Sequence, residues 1–469
     1  MSASTPFQQR VAAAVADKRV VRAVHLATLK KVEAREAGMD QLRDFEQIRS
    51  LAAQVKQHTL DYLPRYLEQF VEQIEGRGGA VHFAPDAEAA RRIICDIATS
   101  RGLKRVVKSK SMTSEEIHLN QALEAVGLRP VETDLGEFIV QIDHDTPSHI
   151  VTPIIHKDRR QIAQAMQREL GCEYTEDPTE LTMIARRHLR EIFRNCDLGI
   201  SGVNFGVAET GTLCICTNEG NGRLTVSRPR VHVALMGIEK VIPRMRDLPV
   251  FLKLLARSST GQPLTVYTTL ISGPKRLQDA DGPEELHVVL MDAGRSDIWA
   301  GEFREVLRCI RCGACLNACP VYRNIGGHAY GSVYPGPIGA LLTPLLHPAG
   351  GHEELPRASS LCGACGVACP VKIDIPDLLV RLRAQTHRSH PLAKRVAMRM
   401  WLWAMKSPLV FRLGQRLLRG LLKDGGDGWA TDGPGPLRAW TQPRDLPIPP
   451  KRSFRAIWQA ELSNEDKRG

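Results

Sequence analysis

Apolar residues at helical spacing dominate the first 78 positions. Leu51, Val55, Leu60, Leu63, Leu67, Val71 and Ile74 recur mostly every three or four residues between Gln41 and Glu75, predicting an amphipathic helix. Pro64 divides or kinks it, and Gly76-Arg-Gly-Gly79 stops it. Residues 1–78 therefore read as an N-terminal helical segment capping the next domain. From residue 79 to about 295 the period changes. Strand-like runs at Ala80–Phe83, Lys104–Lys108, Val131–Thr133, Phe138–Gln141, Leu198–Val203, Leu213–Thr217, Val231–Met236 and Leu264–Thr269 alternate with helical stretches. The helices are Asp86–Ser100, Thr113–Val126, Arg160–Leu170 and Pro178–Asn195; Thr113 with Glu116 predicts a capping box. Ile150–Ile155 reads as one more strand, flanked by His149 and His156. This alternation predicts an α/β domain over 79–295, a mainly parallel sheet covered on both faces. Ligands of such sheets sit beyond the strands' carboxyl ends.

The pattern changes again after residue 295. Over 296–390 a helix, Ser296–Leu307, leads into a cysteine-rich stretch, and Ile375–Ala384 is helical after it. Over 391–469, Trp401, Trp403, Leu409, Phe411, Leu417 and Leu421 alternate with Arg399, Lys406, Arg412, Arg416 and Arg419, and Pro408 splits the run into two helices. Residues 391–423 suit a membrane surface or a partner protein, or pack on the α/β domain with a solvated basic face. From Asp424 the Gly- and Pro-rich tail reads as extended, ordered in part by Trp429, Trp440 and Trp458.

Length adds little: 469 residues suit two or three domains with ample core. No stretch reaches the roughly 20 apolar residues of a membrane span, and Met1–Val20 carries Asp17 and no apolar run of signal type. The expectation is a cytoplasmic protein, with a peripheral position at the inner membrane face open. Charge is more informative. Residues 381–469 hold 18 Lys and Arg against 7 Asp and Glu, the whole of the chain's net charge of +11. A basic tail favours an acidic partner, an anionic membrane surface or nucleic acid. The cysteine chemistry below favours the first two and no nucleic acid.

Seven of the 12 cysteines form two runs, in keeping with a reducing compartment. The first, Cys309-Ile-Arg-Cys312-Gly-Ala-Cys315-Leu-Asn-Ala-Cys319-Pro320, matches the C-x2-C-x2-C-x3-C-P pattern of bacterial ferredoxins. Three thiolates at that spacing take corners of one cubane, and the fourth crosses to the other. The second run, Cys362-Gly-Ala-Cys365-Gly-Val-Ala-Cys369-Pro370, has the same ending, but Ser359 stands where its first cysteine would be. Crossed ligation predicts Cys309, Cys312, Cys315 and Cys369 on one [4Fe-4S] cluster. It places Cys319, Cys362 and Cys365 on a second, which has three Cys ligands and is a [4Fe-4S] or [3Fe-4S] centre. Structural zinc or buried thiols are the alternative, but zinc sites pair their ligands differently. Forty-two residues separate the runs. They hold His328, His347 and His352, surface residues or a replacement ligand. Cys95, Cys172, Cys196, Cys214 and Cys216 show no ligand spacing and read as small buried hydrophobes.

Two polar turns stand out in the α/β region. Asn218-Glu-Gly-Asn-Gly-Arg223 follows an apolar strand, and Gly206-Val-Ala-Glu-Thr-Gly211 precedes it. Glu209, Thr210, Asn218, Glu219, Asn221 and Arg223 can cradle a small anion, or the turns simply need Gly and Asn for their backbone. Lys108-Ser-Lys-Ser-Met112 is a second anion seat or a solvated basic turn.

Lys110-Ser-Met112, Thr133-Asp-Leu-Gly-Glu137, Ser148-His-Ile150, Ala208-Glu-Thr-Gly-Thr212 and Asn218–Arg223 together resemble the lactate-utilization (LUD) domain. With the cysteine runs following in the same order, nearly the whole chain resembles the lactate utilization protein B family. The resemblance implies a fold related to the NagB/RpiA/CoA-transferase group and a role passing electrons while L-lactate becomes pyruvate. It also implies two other lactate-utilization subunits as partners, with the electron acceptor unknown, and it makes Ser359 normal. It carries over no catalytic residue. The expectation is an iron–sulfur electron-transfer subunit. The rivals are a LUD domain that itself binds lactate through Glu209 or Glu219 with Arg223, and an assembly scaffold with structural clusters. No G-x-G-x-x-G fingerprint of a flavin or nicotinamide site follows a strand.

Overall fold

The computed structural model describes residues 6–386, 392–422, 428–441 and 444–462. The chain divides into two compact units, residues 1–385 and 386–469. In the first, ten strands run in chain order: β1 (Ala80–Ala84), β2 (Arg105–Lys108), β3 (Arg129–Glu132), β4 (Leu198–Gly202), β5 (Phe205–Val207), β6 (Thr212–Thr217), β7 (Val231–Gly237), β8 (Val241–Ile242), β9 (Tyr267–Ile271) and β10 (Glu285–Met291). Six form a wholly parallel sheet in the order β1-β10-β7-β4-β2-β3. The other four form a small mixed sheet, β8-β5-β6-β9. The α/β architecture with a parallel sheet is as the alternating pattern implies.

Several helices of the α/β region start at a capping aspartate. Asp86, Asp158 and Asp177 each accept backbone N–H groups at a helix start, and Gln161 completes a capping box with Asp158. Both sheet faces are covered. Ile94, Leu119 and Leu123 pack under Val106, Leu198 and Val233 on one, and Phe138, Met166 and Leu189 pack with Val107 on another.

Several sequence expectations need correction. Phe138–Gln141 is helical, within Leu135–Ile142, because Asp134 caps Gly136 and Glu137; a short all-apolar run carries no period to tell the two states apart. The helix expected over Thr113–Val126 is two, Met112–Glu116 and Leu119–Ala125, broken at His118 with a φ of 50°, and Ser111 rather than Thr113 caps it. Ile150–Ile155 is a run of turns. Asn221–Arg223 opens a helix, Asn221–Ser227, rather than continuing the loop. Ser296–Leu307 is a short helix, Arg295–Ala300, and a 3-10 turn, Arg304–Arg308. Strand β10 was not foreseen. Pro64 does divide the N-terminal helices, Phe45–Asp61 and Leu63–Glu75.

The N-terminal helices do more than cap the α/β region. Val24, Ala52 and Leu60 share one continuous core with Phe205 and Phe251 of the α/β region and with Cys312, Cys315, Tyr322 and Leu378. The cysteine-rich stretch thus has no core of its own and is held between the two other segments. In the second unit, helices Leu392–Lys406 and Pro408–Leu421 flank Ser407, which caps the second, and Trp429–Ala430 pairs antiparallel with Leu446–Pro447. Part of the tail expected from Asp424 lies outside the described residues. Among the described residues no helix is long and apolar enough to cross a membrane.

Candidate metal centre and adjoining cavity

The two cysteine runs fold alike. Arg311 and Leu361 both take a positive φ, 60° and 57°, and Gly313 and Gly363 follow at 76° and 83°. Only glycine adopts the latter without strain. A short helix follows each turn, Ala314–Ala318 and Ala364–Ala368, and the two pack together. Pro320 opens the next helix at a position where its missing N–H is no loss. These turns aim backbone N–H groups at sulfur. Arg311, Tyr322 and Ile373 donate to Cys309, Cys319 and Cys369 at 3.4, 3.5 and 3.4 Å. Ala314, Ala364 and Gly366 donate to Cys312, Cys362 and Cys365.

The thiols fall into two sets that cross the sequence. Cys369 neighbours Cys309, and Cys312 and Cys315 each neighbour Cys309 and Cys369, Cys315 lying also beside Cys365. Cys319, from the first run, instead neighbours Cys362, and Cys365 neighbours both. Cys312, Cys315 and Cys369 are buried, whereas Cys362 is exposed. Ser360 hydrogen-bonds to the Cys362 thiol. Ser359 is half-buried, its hydroxyl accepting from the Leu361 N–H at 3.1 Å and its carbonyl from Arg383 at 3.0 Å. Of the histidines between the runs, His328 sits by Asp145 and His156, and its Nε2–H donates to the Thr146 carbonyl at 2.8 Å. His347 and His352 lie together beside Gly350.

These residues fit iron–sulfur clusters better than single ions. A tetrahedral zinc with bonds of about 2.3 Å brings its sulfurs within roughly 4 Å of each other. Among the described residues, Asp145, His156 and His328 are the one group of three such ligands within 4.8 Å, and no three cysteines are that close. Buried donors also wait for acceptors around the thiols. Arg35 Nε, Arg308 Nε, Arg311 Nη1 and the Tyr330 hydroxyl have no hydrogen-bond partner among the described residues. Arg35 neighbours Cys312 and Cys369, Arg311 neighbours Cys309, and Tyr330 lies among Cys319, Cys315 and Cys365. Burial pushes the Cys369 thiol up to about 11 and Cys365 up to about 12, so ligation by these thiols must expel protons.

A cavity of about 470 Å³ opens beyond the carboxyl ends of β2, β3 and β4. Its wall includes Lys110 and Ser111 after β2, Asp134 and Leu135 after β3, Asn204 after β4, and Asn218, Glu219 and Asn221 after β6. The opposite wall includes Arg311, Cys312 and Tyr334 from the cysteine-rich stretch. The cavity therefore reaches Cys312 of the first run. Burial, and then the Asp134 carboxylate, push Glu219 up to about 7. The expected anion seat is placed differently than its spacing implied. Asn218, Glu219 and Asn221 line the cavity, as do Lys110, Ser111 and Met112, but Glu209 and Thr210 lie at the other end of β6, about 20 Å away over six strand residues. Glu209 accepts from the Met245 N–H at 2.8 Å. Arg223 is exposed on the following helix and is not part of the wall. Lys108 is fully buried between Glu115 and Glu132, at 2.8 and 2.7 Å. Cys216 lines the cavity, 3.9 Å from Cys214 on the same face of β6.

The α/β region and the cysteine-rich stretch are joined by buried charge. Arg295 donates to both oxygens of Glu116 at 2.9 and 2.8 Å and to Glu239 at 2.7 Å. Glu239 also accepts from Arg311 at 3.2 Å, and the Tyr334 hydroxyl donates to Glu116 at 2.6 Å. Two arginines hold the Glu239 carboxyl down to about 2 against its burial. Sequence reasoning missed this network, because its members lie up to 218 positions apart. His149 is likewise an interface residue. Its Nδ1 accepts from the Val151 and Thr152 N–H groups, so Nε2 carries the proton and donates to Asn317 at 3.1 Å. Next to it, Tyr322 donates to the Ser148 carbonyl at 2.7 Å, and any side chain at Gly327 would strike that carbonyl.

Comparison with known proteins names the segments. Residues 67–291 match the LUD domain, 305–373 a 4Fe-4S dicluster domain, and 381–463 the C-terminal domain of lactate utilisation protein B. Lactate utilization protein B of Bacillus cytotoxicus is 46% identical over 98% of both chains, and that of Bacillus cereus strain B4264 is 45% identical over the same share. A solved DUF162 family protein from Deinococcus radiodurans aligns over 49% of this chain and 98% of its own, at 15% identity and a TM-score of 0.28, too slight a likeness to argue from.

Proposed function

The chain belongs to the lactate utilization protein B family, and from that premise we propose that it is the iron–sulfur electron-transfer subunit of a multi-protein system oxidising L-lactate to pyruvate. What supports this reading is that Cys312, Cys315, Cys319, Cys365 and Cys369 are buried, Cys312 in the wall of the cavity, while Cys362 is exposed. We assign Cys309, Cys312, Cys315 and Cys369 to one [4Fe-4S] cluster. Cys319, Cys362 and Cys365 hold a second, whose fourth corner is a non-cysteine group. Bound there, such clusters relay single electrons at potentials set by their ligands, hydrogen bonds and burial.

The chain's own residues provide the setting. The backbone N–H groups of Arg311, Tyr322 and Ile373 and the Arg35 and Arg311 guanidiniums offset thiolate charge. The exposed Cys362 edge faces an electron partner. The domains implied are the helical segment 1–78, the LUD domain 79–295, the iron–sulfur domain 296–390 and the basic region 391–469. Its helices carry exposed Leu409, Leu413 and Leu417 beside Arg412 and Arg416, which suits docking on an acidic partner subunit or an anionic membrane surface. The test is anaerobic purification with the natural partner subunits and a measurement of lactate-dependent reduction. Spectra that stay unchanged with L-lactate, while dithionite reduces the same sample, would remove this chain from the lactate path.

A further inference from the structure

The cavity beside the buried thiols is larger and less polar than a lactate site needs. Lactate has the bulk of a few waters, roughly 100 Å³ at about 30 Å³ each, whereas the cavity holds about 470 Å³, well inside the range of about 300–1,000 Å³ typical of organic ligands. Ile150, Val151, Ile154, Val203, Ile215 and Leu255 make much of its wall. Three cations, Lys110, Lys240 and Arg311, face two carboxyls, Asp134 and Glu219.

Two wall residues also carry buried polar atoms without partners among the described residues, Asn221 Oδ1 and Ser259 Oγ, on residues 7% and 4% exposed. An unmet buried polar group is destabilising, so two around one cavity mark a place built to be filled. They come from separated stretches of chain, which argues against a local packing accident.

We propose that this cavity binds an organic anion with an apolar body, its anionic head on Lys110 and Arg311 and its body against the wall that contains Cys312. Asn221 and Ser259 meet its polar edge. Because Cys312 belongs to both the wall and the buried thiol set, a bound ligand is felt by the cluster ligated there. The inference is independent of the lactate reading.

The probe is ANS, a sulfonate on an apolar aromatic body, titrated anaerobically into the cluster-loaded full chain. Binding is followed by fluorescence, and each cluster by its paramagnetic spectrum. The expected result is one saturable site that perturbs the first cluster's signal and leaves the second unchanged. Lys110→Ala should weaken it by at least about ten-fold, the loss expected for a charge-assisted contact, and Lys110→Arg should recover part. Asn221→Ala should weaken it too, with iron content unchanged in all three variants. Inorganic phosphate and L-lactate at equal concentration should not displace ANS. Fluorescence that rises while the first cluster's signal stays fixed would place ANS elsewhere and overturn the site. So would variants that titrate like the parent chain. Displacement by L-lactate at equal concentration would overturn the ligand's apolar body. Dithionite reduction and reoxidation in the same cuvette keep the two readings separate: clusters that cycle without any response to ANS leave electron transfer standing and remove the ligand site.

Discussion

The crossed arrangement of thiols makes a demanding prediction about iron. Cys365 and Cys369 are four residues apart in one run, yet Cys369 neighbours Cys309, Cys312 and Cys315, whereas Cys365 neighbours Cys319 and Cys362 and adjoins the first group only at Cys315. Substituting either by Ala removes one thiolate from one set only. Two cubanes hold about eight irons. Cys369→Ala takes one of four thiolates from the buried set, so about half of the iron should be lost or become labile, and the surviving spectrum should be that of the second cluster. Cys365→Ala strips a set that has only three thiolates and should lose its cluster outright, sparing the first. Cys319→Ala should resemble Cys365→Ala although it lies in the other run. The assay is iron counting with paramagnetic spectra of the dithionite-reduced, anaerobically purified variants. If Cys369→Ala and Cys365→Ala lose the same cluster while Cys319→Ala spares it, ligation follows the sequence and the crossed sets are wrong.

Other perturbations test other parts of the reasoning. Arg295→Met leaves Glu116 and Glu239 short of their buried partner and should cost about 3–5 kcal/mol, read as a fall in the urea midpoint. Adding Glu116→Leu should return part of it, and an unchanged midpoint would refute the network's role. Glu219 is pushed from an ordinary carboxyl value of 4.5 up to about 7. Between those values the folded protein keeps a proton that the unfolded chain has released, so this group's contribution to stability falls as pH rises through the window. Glu219→Gln should therefore match the parent chain near the bottom of the window and be the more stable above it; parallel curves would refute the shift. Tyr330→Phe removes an unpartnered hydroxyl lying among Cys315, Cys319 and Cys365. Losing a donor worth about 0.5–1.5 kcal/mol should make a cluster potential more negative by roughly 20–65 mV at constant iron, and an unmoved potential would show that the hydroxyl meets no cluster atom. Association through 391–423 should weaken as salt rises, because screening shortens the reach of exposed charges; salt-independent binding would point to the apolar stripe alone.

Local rules settled what is local. The intervals within Cys309–Cys319 and Cys362–Cys369, the missing cysteine at Ser359, the break at Pro64 and the Asp86 start signal all act across a few residues, so the sequence displays them directly. The change from helical to alternating pattern likewise sufficed for a parallel α/β sheet. Two kinds of feature needed the tertiary structure. Short apolar segments such as Phe138–Gln141 carry no period, and a single Asp134 cap decided them. The functional geometry depends on contacts between distant residues. That Lys110, Asn221 and Arg311 line one cavity while Glu209 and Arg223 do not follows from how three segments pack into one core. Arg295 pairing with Glu116 across 179 positions leaves no trace in spacing or composition, because a buried charge is favourable only once its partner is brought to it.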